Sequence, residues 1–170
     1  MTDLTPEQRV AELGLVIPDY ADPPYGQRYG TVKAFHRSGR LVLLGGITSE
    51  SRDGERLHPG VLGAGLTVEQ GYLSARQAAV NCLGMVRYAI GSLDEVTAIP
   101  RVQVFVAAVP AFEEHHLVAA GMSDLFLEVF GPEIGTTARA TMGVTSLSRR
   151  NSVELWPTFE SRDAAREAEL

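Results

Sequence analysis

Apolar positions Tyr72, Ala75, Ala79, Cys82, Val86, Ala89 and Ile90 recur at three- and four-residue spacing. That period predicts one long helix over 68–90, and Gly91 can end it in the left-handed region. A second run, 112–130, places Leu117, Ala120, Leu125, Val129 and Phe130 on one face and meets Gly131-Pro132 as a stop. A short helix opens the chain. Thr5 can cap it, Pro6 suits its first position, Gln8 completes a capping box, Val10 and Leu13 form an inner stripe, and Gly14 ends it. Residues 18–30 carry Pro18, Pro23, Pro24, Gly26 and Gly30 and read as loop. Strands are expected at 31–36 and 41–45 about a Ser38-Gly39 turn, and at 101–108, which alternates and is rich in β-branched residues. Two more, 136–147 and 152–159, read as a pair joined across Ser148-Arg149-Arg150-Asn151. Residues 48–66 form a long polar loop containing Gly54, Pro59, Gly60, Gly63 and Gly65.

This order predicts an α+β fold, a mixed sheet with two long helices on one face plus the short N-terminal helix. Leu41-Val42-Leu43-Leu44 has no polar side, as expected of a strand covered on both faces. The helices cover one face, so association with further copies is the expected cover of the other.

A length of 170 residues predicts a single domain, 1–170, with 1–24 as helix and proline-rich approach and 160–170 as a fraying tail. Hydrophobic residues make up 45% and charged ones 21%, which excludes a disordered chain. The longest apolar runs are too short for a membrane span, and the first residues lack a secretory pattern, so a cytoplasmic protein is expected. A net charge of -6 argues against a broad nucleic-acid surface. The single cysteine, Cys82, excludes an internal disulfide, and its place on a helix stripe reads as a buried small hydrophobe.

Few residues suggest chemistry. The glycines at 60, 63 and 65 lack a phosphate-loop lysine and read as a flexible loop. Adjacent His115 and His116 diverge by about 100° on a helix, so one metal cannot take both. His36 and His58 are isolated. Arg139 is the only charge between Ile134 and Ser148. Its donor fork fits a carboxylate or phosphate gripped bidentately, or a structural ion pair. Glu154, a lone charge within an apolar strand, fits general-base or water-positioning chemistry, or the outward face of an alternating strand.

Ala138-Arg139, Gly143-Val144, Leu147 and Val153-Glu154 resemble the C-terminal signature of the Rid (reactive intermediate deaminase, endoribonuclease L-PSP-like) family. Ser123-Asp124 through Gly131, Glu69-Gln70-Gly71-Tyr72 with Ala75-Arg76, and Leu13-Gly14 with the approach to Tyr25 extend the likeness to the chorismate-mutase-like branch, over about residues 7 to 159. The resemblance implies a chorismate-mutase-like fold assembled as a homotrimer, with clefts between subunits and no metal or organic cofactor. It also implies that Arg139 holds the carboxylate of a small-molecule substrate. Glu154 would orient the water attacking an imine, Tyr25 would line the cleft, and Gly45 and Gly46 would join Arg139 and Tyr25 in binding substrate.

The sequence departs from deaminating members. They carry Ser-Gly-Gln where Gly45-Gly46-Ile47 stands, a serine at Ala140 and a proline at Ser148, and an asparagine is replaced near Ala119 or Ala120. Imine deamination is therefore the first functional expectation, and a non-catalytic small-molecule-binding or interaction protein on the same trimer is the second. Ribonuclease activity is third. Chorismate mutase activity is weaker still, needing Arg28, Arg76 or Arg101 to join Arg139. A simple hairpin centred near 149 would pair Arg139 with residue 160, six residues or about 20 Å from Glu154. Arg139 and Glu154 of one site then come from neighbouring subunits, or the two strands are not a simple hairpin.

Overall fold

The computed structural model describes residues 4–21 and 32–162. Helix α1, Pro6–Glu12, has the expected capping box, with the Thr5 side chain accepting from the Gln8 backbone and the Gln8 side chain accepting from that of Thr5. Val10 is its buried contact, whereas Leu13 is exposed, because the helix ends at Glu12 and Leu13 falls off the apolar stripe. Strands β1 (Phe35–Ser38) and β2 (Leu41–Leu44) pair antiparallel with Ser38 opposite Leu41, so Gly39-Arg40 forms the turn, one residue later than expected. Strand β3 (Ile47–Thr48) follows, and the 49–66 loop is largely irregular.

Helix α2, Val68–Ile90, has its predicted limits. Thr67 and Gln70 form a second capping box, and Gly91 ends the helix at φ 91°. Strand β4 runs from Val96 to Ala107, starting before Pro100 rather than after it. Register shifts on either side of Ala98 let the proline sit where the ladder is irregular. Helix α3, His115–Gly135, passes through its predicted stop. Gly131 takes φ 75°, which breaks the axis, and a last helical turn follows Pro132. The chain closes with β5 (Arg139–Val144) and β6 (Val153–Ser161).

The expected β5–β6 hairpin does not form. β4 lies between them, parallel to β5 and antiparallel to β6, in a sheet ordered β1-β2-β6-β4-β5 with β3 continuing beside β6. The short segment after β5 carries the chain past β4 instead of turning it back on itself. α2 and α3 pack on one face, over Val102, Val104, Val106, Val153, Leu155 and Phe159, all fully buried. Gly121 permits this packing, since a Cβ there would overlap the Tyr72 carbonyl oxygen of α2. The opposite face carries Phe105, Trp156, Leu41 and Leu43. Leu41 and Leu43 are 39% and 40% exposed while Val42 and Leu44 are buried, so within one chain β2 is covered on one face only.

Candidate functional site

Glu154 stands on the face of the sheet away from the helices. It is opposite Thr48 on one side and Phe105 on the other. The indole Nε1 of Trp156, two residues on and so on the same face, donates to its Oε1 at 2.7 Å. Phe105 supports that indole, with ring centroids 4.6 Å apart. Gly45 and Gly46 bend the chain between β2 and β3, next to the carboxylate. A Cβ on Gly46 would overlap the Glu154 carboxylate and lie 3.0 Å from Trp156 Nε1. Glycine at 46 is what lets Glu154 lie flat against the chain.

Glu154, Gly45 and Gly46 line one hollow of about 200 Å³, with Val32, Lys33, Thr48, Glu50, Ser148, Arg149 and Asn151. Two sequence-predicted positions thus meet Glu154. Tyr25 lies outside the described residues.

Arg139 is not among them. It heads the edge strand β5 on the helix side of the sheet, where its guanidinium donates to Ser123 Oγ of α3 at 2.8 Å. Glu154 is opposite Phe105, Phe105 opposite Met142, and Met142 is three residues from Arg139. Two strand spacings and three residues of rise separate the two Cα atoms by about 14 Å, with side chains on opposite faces. One chain therefore does not bring Arg139 and Glu154 together.

A family model described as "YjgF/chorismate mutase-like, putative endoribonuclease" matches residues 7–156. The chain belongs to this family. A protein of unknown function from Agrobacterium tumefaciens is similar at 32% identity, over 92% of this chain and 94% of its own, with a TM-score of 0.81. A "putative endoribonuclease" from Shewanella oneidensis is 27% identical, over 92% and 99%, with a TM-score of 0.83. A protein of the Rid family from Yersinia pestis shares the fold at 17% identity and a TM-score of 0.55, over 77% and 88%. Protein TCP17 of Trypanosoma cruzi is 43% identical over 96 residues. The match spans 56% of this chain and 60% of the length of that curated relative.

Within this YjgF-like chain, one of the departures noted in the sequence has a local cause. A Cβ on Gly45 would lie 3.3 Å from the carbonyl oxygens of Lys33 and Ala34, so a serine there would crowd the β1 approach. Ser148, in place of proline, opens a turn whose next two residues, Arg149 and Arg150, both have left-handed φ, 56° and 62°.

Sequence reasoning missed Trp156, Ser123, Glu50 and Arg149. The signals were faint: an indole two residues from a lone carboxylate in a strand, a serine on a mostly apolar helix, and an arginine read only as turn. Glu50 is held by the buried amide of Asn81 on α2, which donates to the carbonyls of Thr48 and Glu50 at 2.8 and 3.0 Å. Its carboxylate pairs with the guanidinium of Arg149.

Other candidates have structural surroundings. His115 lies against Gly143 and Phe112. Arg76 pairs with Glu128, which holds its guanidinium more firmly charged. Cys82 is fully buried, and burial pushes its thiol pKa up, away from thiolate chemistry. Among the described residues no three His, Cys, Asp or Glu side chains gather as a metal would require, and no helix is long and apolar enough to cross a membrane.

Proposed function

We propose that this YjgF-family chain is a Rid-type hydrolase of small carboxylate-bearing imines. The reading assigns Glu154 to the water and Arg139 of a neighbouring subunit to the substrate carboxylate. The observation that carries it is the Glu154 hollow, a small cleft whose carboxylate is oriented by Trp156 Nε1 and closed by Gly46. A water accepted by Glu154 adds its oxygen to the imine carbon while a proton passes to the imine nitrogen. The C–N bond then breaks, giving ammonia and a 2-keto acid. The imine is already electrophilic, so positioning and a single acid–base group suffice.

The placement of Arg139 favours a site shared between copies. Arg139 stands at an open sheet edge, and the helix-free face carries Leu41, Leu43, Phe105 and Trp156, with Trp156 46% exposed. A cyclic trimer would cover that face and bring one copy's β5 edge to the next copy's hollow.

A complementation experiment tests this. Arg139→Ala and Glu154→Gln are each expected to lose ammonia release from freshly generated 2-aminoacrylate. Refolded together in equal amounts, they should regain about a quarter of the wild-type sites, since a shared site draws its two residues from different chains. No recovery from folded, associated mixtures would place both residues in one chain or remove Arg139 from the site. The second reading, a binding protein without turnover, is favoured by Gly45 and Ala140, which remove the serines of deaminating members. It predicts Arg139-dependent binding of 2-keto acids with no ammonia release from any imine.

A further inference from the structure

The hollow that holds Glu154 has a second charged group that the hydrolytic step does not use. Arg149 is held there in a costly conformation. It and Arg150 are consecutive non-glycine residues in the left-handed region, at φ 56° and 62°, a conformation that persists only where the surrounding structure holds it. The surroundings do fix them. The Arg56 guanidinium donates to the Arg149 carbonyl at 2.5 Å, and the Gly60 amide donates to the Arg150 carbonyl at 2.8 Å. The Arg149 side chain donates to the Glu50 carboxylate and, at 3.4 Å, to the Gly54 carbonyl. Glu50 is in turn pinned by Asn81, so the chain of support ends on the long helix.

A pin between a loop and a turn would explain the contact with Glu50 but not where the cation ends up. The Glu50 side chain is 8% exposed, and that of Arg149 keeps 46% of its surface open. A guanidinium has five N–H donors, and one carboxylate and one carbonyl do not use all of them. Arg149 borders the same hollow as Glu50 and Glu154, with Lys33 also on its wall. A hollow of about 200 Å³ suits a small metabolite, since about 10–15 Å³ by the same kind of measure admits one water. Such a metabolite, with its reacting carbon at Glu154, would extend its remaining atoms among charged groups. An alkyl side chain would leave the Arg149 guanidinium desolvated, whereas a carboxylate would pair with it.

We propose that Arg149, oriented by Glu50, selects substrates with a second carboxylate, so that the preferred imines are those of dicarboxylic 2-amino acids. This inference rests on the imine-hydrolase reading and names the substrate class of the same hollow. Arg149 is a specificity residue here, separate from the carboxylate clamp assigned to Arg139.

Calorimetric titration with two product-type keto acids tests it, 2-oxoglutarate carrying the second carboxylate and 2-oxobutyrate lacking it. The wild-type protein should bind 2-oxoglutarate at least tenfold more tightly. Arg149→Asn removes the cation while placing a residue that tolerates left-handed φ, which guards the fold. It should bring the affinity ratio to near one, and Arg149→Lys should keep part of the preference. A merely structural role would weaken both ligands by one factor and leave the ratio unchanged. Equal affinities in the wild type, or a ratio that survives in Arg149→Asn, would overturn the inference. If imines are turned over but no preference exists, only the assignment of Arg149 falls. If neither keto acid binds the wild-type protein and no imine is turned over, the hydrolase reading falls with it.

Discussion

Trp156 Nε1 donates to Glu154 Oε1 at 2.7 Å, and the indole is itself held against Phe105. The bond fixes which carboxylate oxygen remains for a water. Glu154→Gln is expected to lower ammonia release from 2-aminoacrylate by at least about a hundredfold, the lower end for a positioned acid–base group. Trp156→Phe keeps the ring and loses the donor, and should lower turnover by a smaller factor. Steady-state assays of both variants, with circular dichroism to confirm the fold, check the order.

Gly46→Ala should lose most activity while the protein stays folded. The added methyl would overlap the Glu154 carboxylate at a bend beside the sheet, so the carboxylate has to swing away from the indole. A crystal structure or turnover assay of the variant decides; activity at the wild-type level would show that Glu154 does not work from its observed position.

At the α2–α3 crossing the expectation concerns stability. A Cβ on Gly121 would overlap the Tyr72 carbonyl and lie 3.1 Å from the Arg76 amide, so the helices have to separate. Gly121→Ala is expected to cost about 1–3 kcal/mol, lowering Tm by about 2–12 °C for a chain of this size. Thermal unfolding measures it.

The two long helices were legible because their apolar period, their capping residues and Gly91 agree. The pairing of β5 and β6 was not. Which strands lie side by side depends on the path of the chain between them, and the local turn at 148–151 looks the same whether it closes a hairpin or steps across β4. Glu154 and Arg139 stood out as lone charges in apolar strands, yet the sequence left open whether one chain joins them. Arg149 was hidden for a different reason. Its value depends on Glu50, 99 positions earlier, and on a left-handed φ that arginine residues rarely advertise.

The helix-free face yields a prediction about assembly. Leu43→Glu would put a carboxylate in the middle of the patch formed with Leu41 and Trp156, and should shift the sedimenting species from oligomer to monomer. A wild-type protein already monomeric at micromolar concentration would remove the shared-site reading.

Cys82 gives a pH dependence. Burial raises its thiol pKa in the folded chain above the ordinary value of about 8.5. The unfolded chain therefore loses this proton first as pH rises. The stabilisation is fully present below about pH 8.5 and declines above it. Denaturant unfolding of Cys82→Ala should show a flatter decline over that range, and a thiol reagent should label the wild-type protein only as it unfolds.

The buried amide of Asn81 has an effect beyond local hydrogen bonding. By gripping the carbonyls of Thr48 and Glu50 from the centre of α2, it separates one long loop into two mechanical parts. Residues up to Glu50 are tied to the helix, whereas those from Ser51 to Glu55 turn back on themselves, with Ser51 and Glu55 joined backbone to backbone at 2.7 Å. On the hydrolase reading, exchanges in that outer turn would alter what braces Arg149 through the Gly54 carbonyl, while Glu154 keeps its own surroundings. A scaffold of this kind can change what it accepts without rebuilding how it reacts.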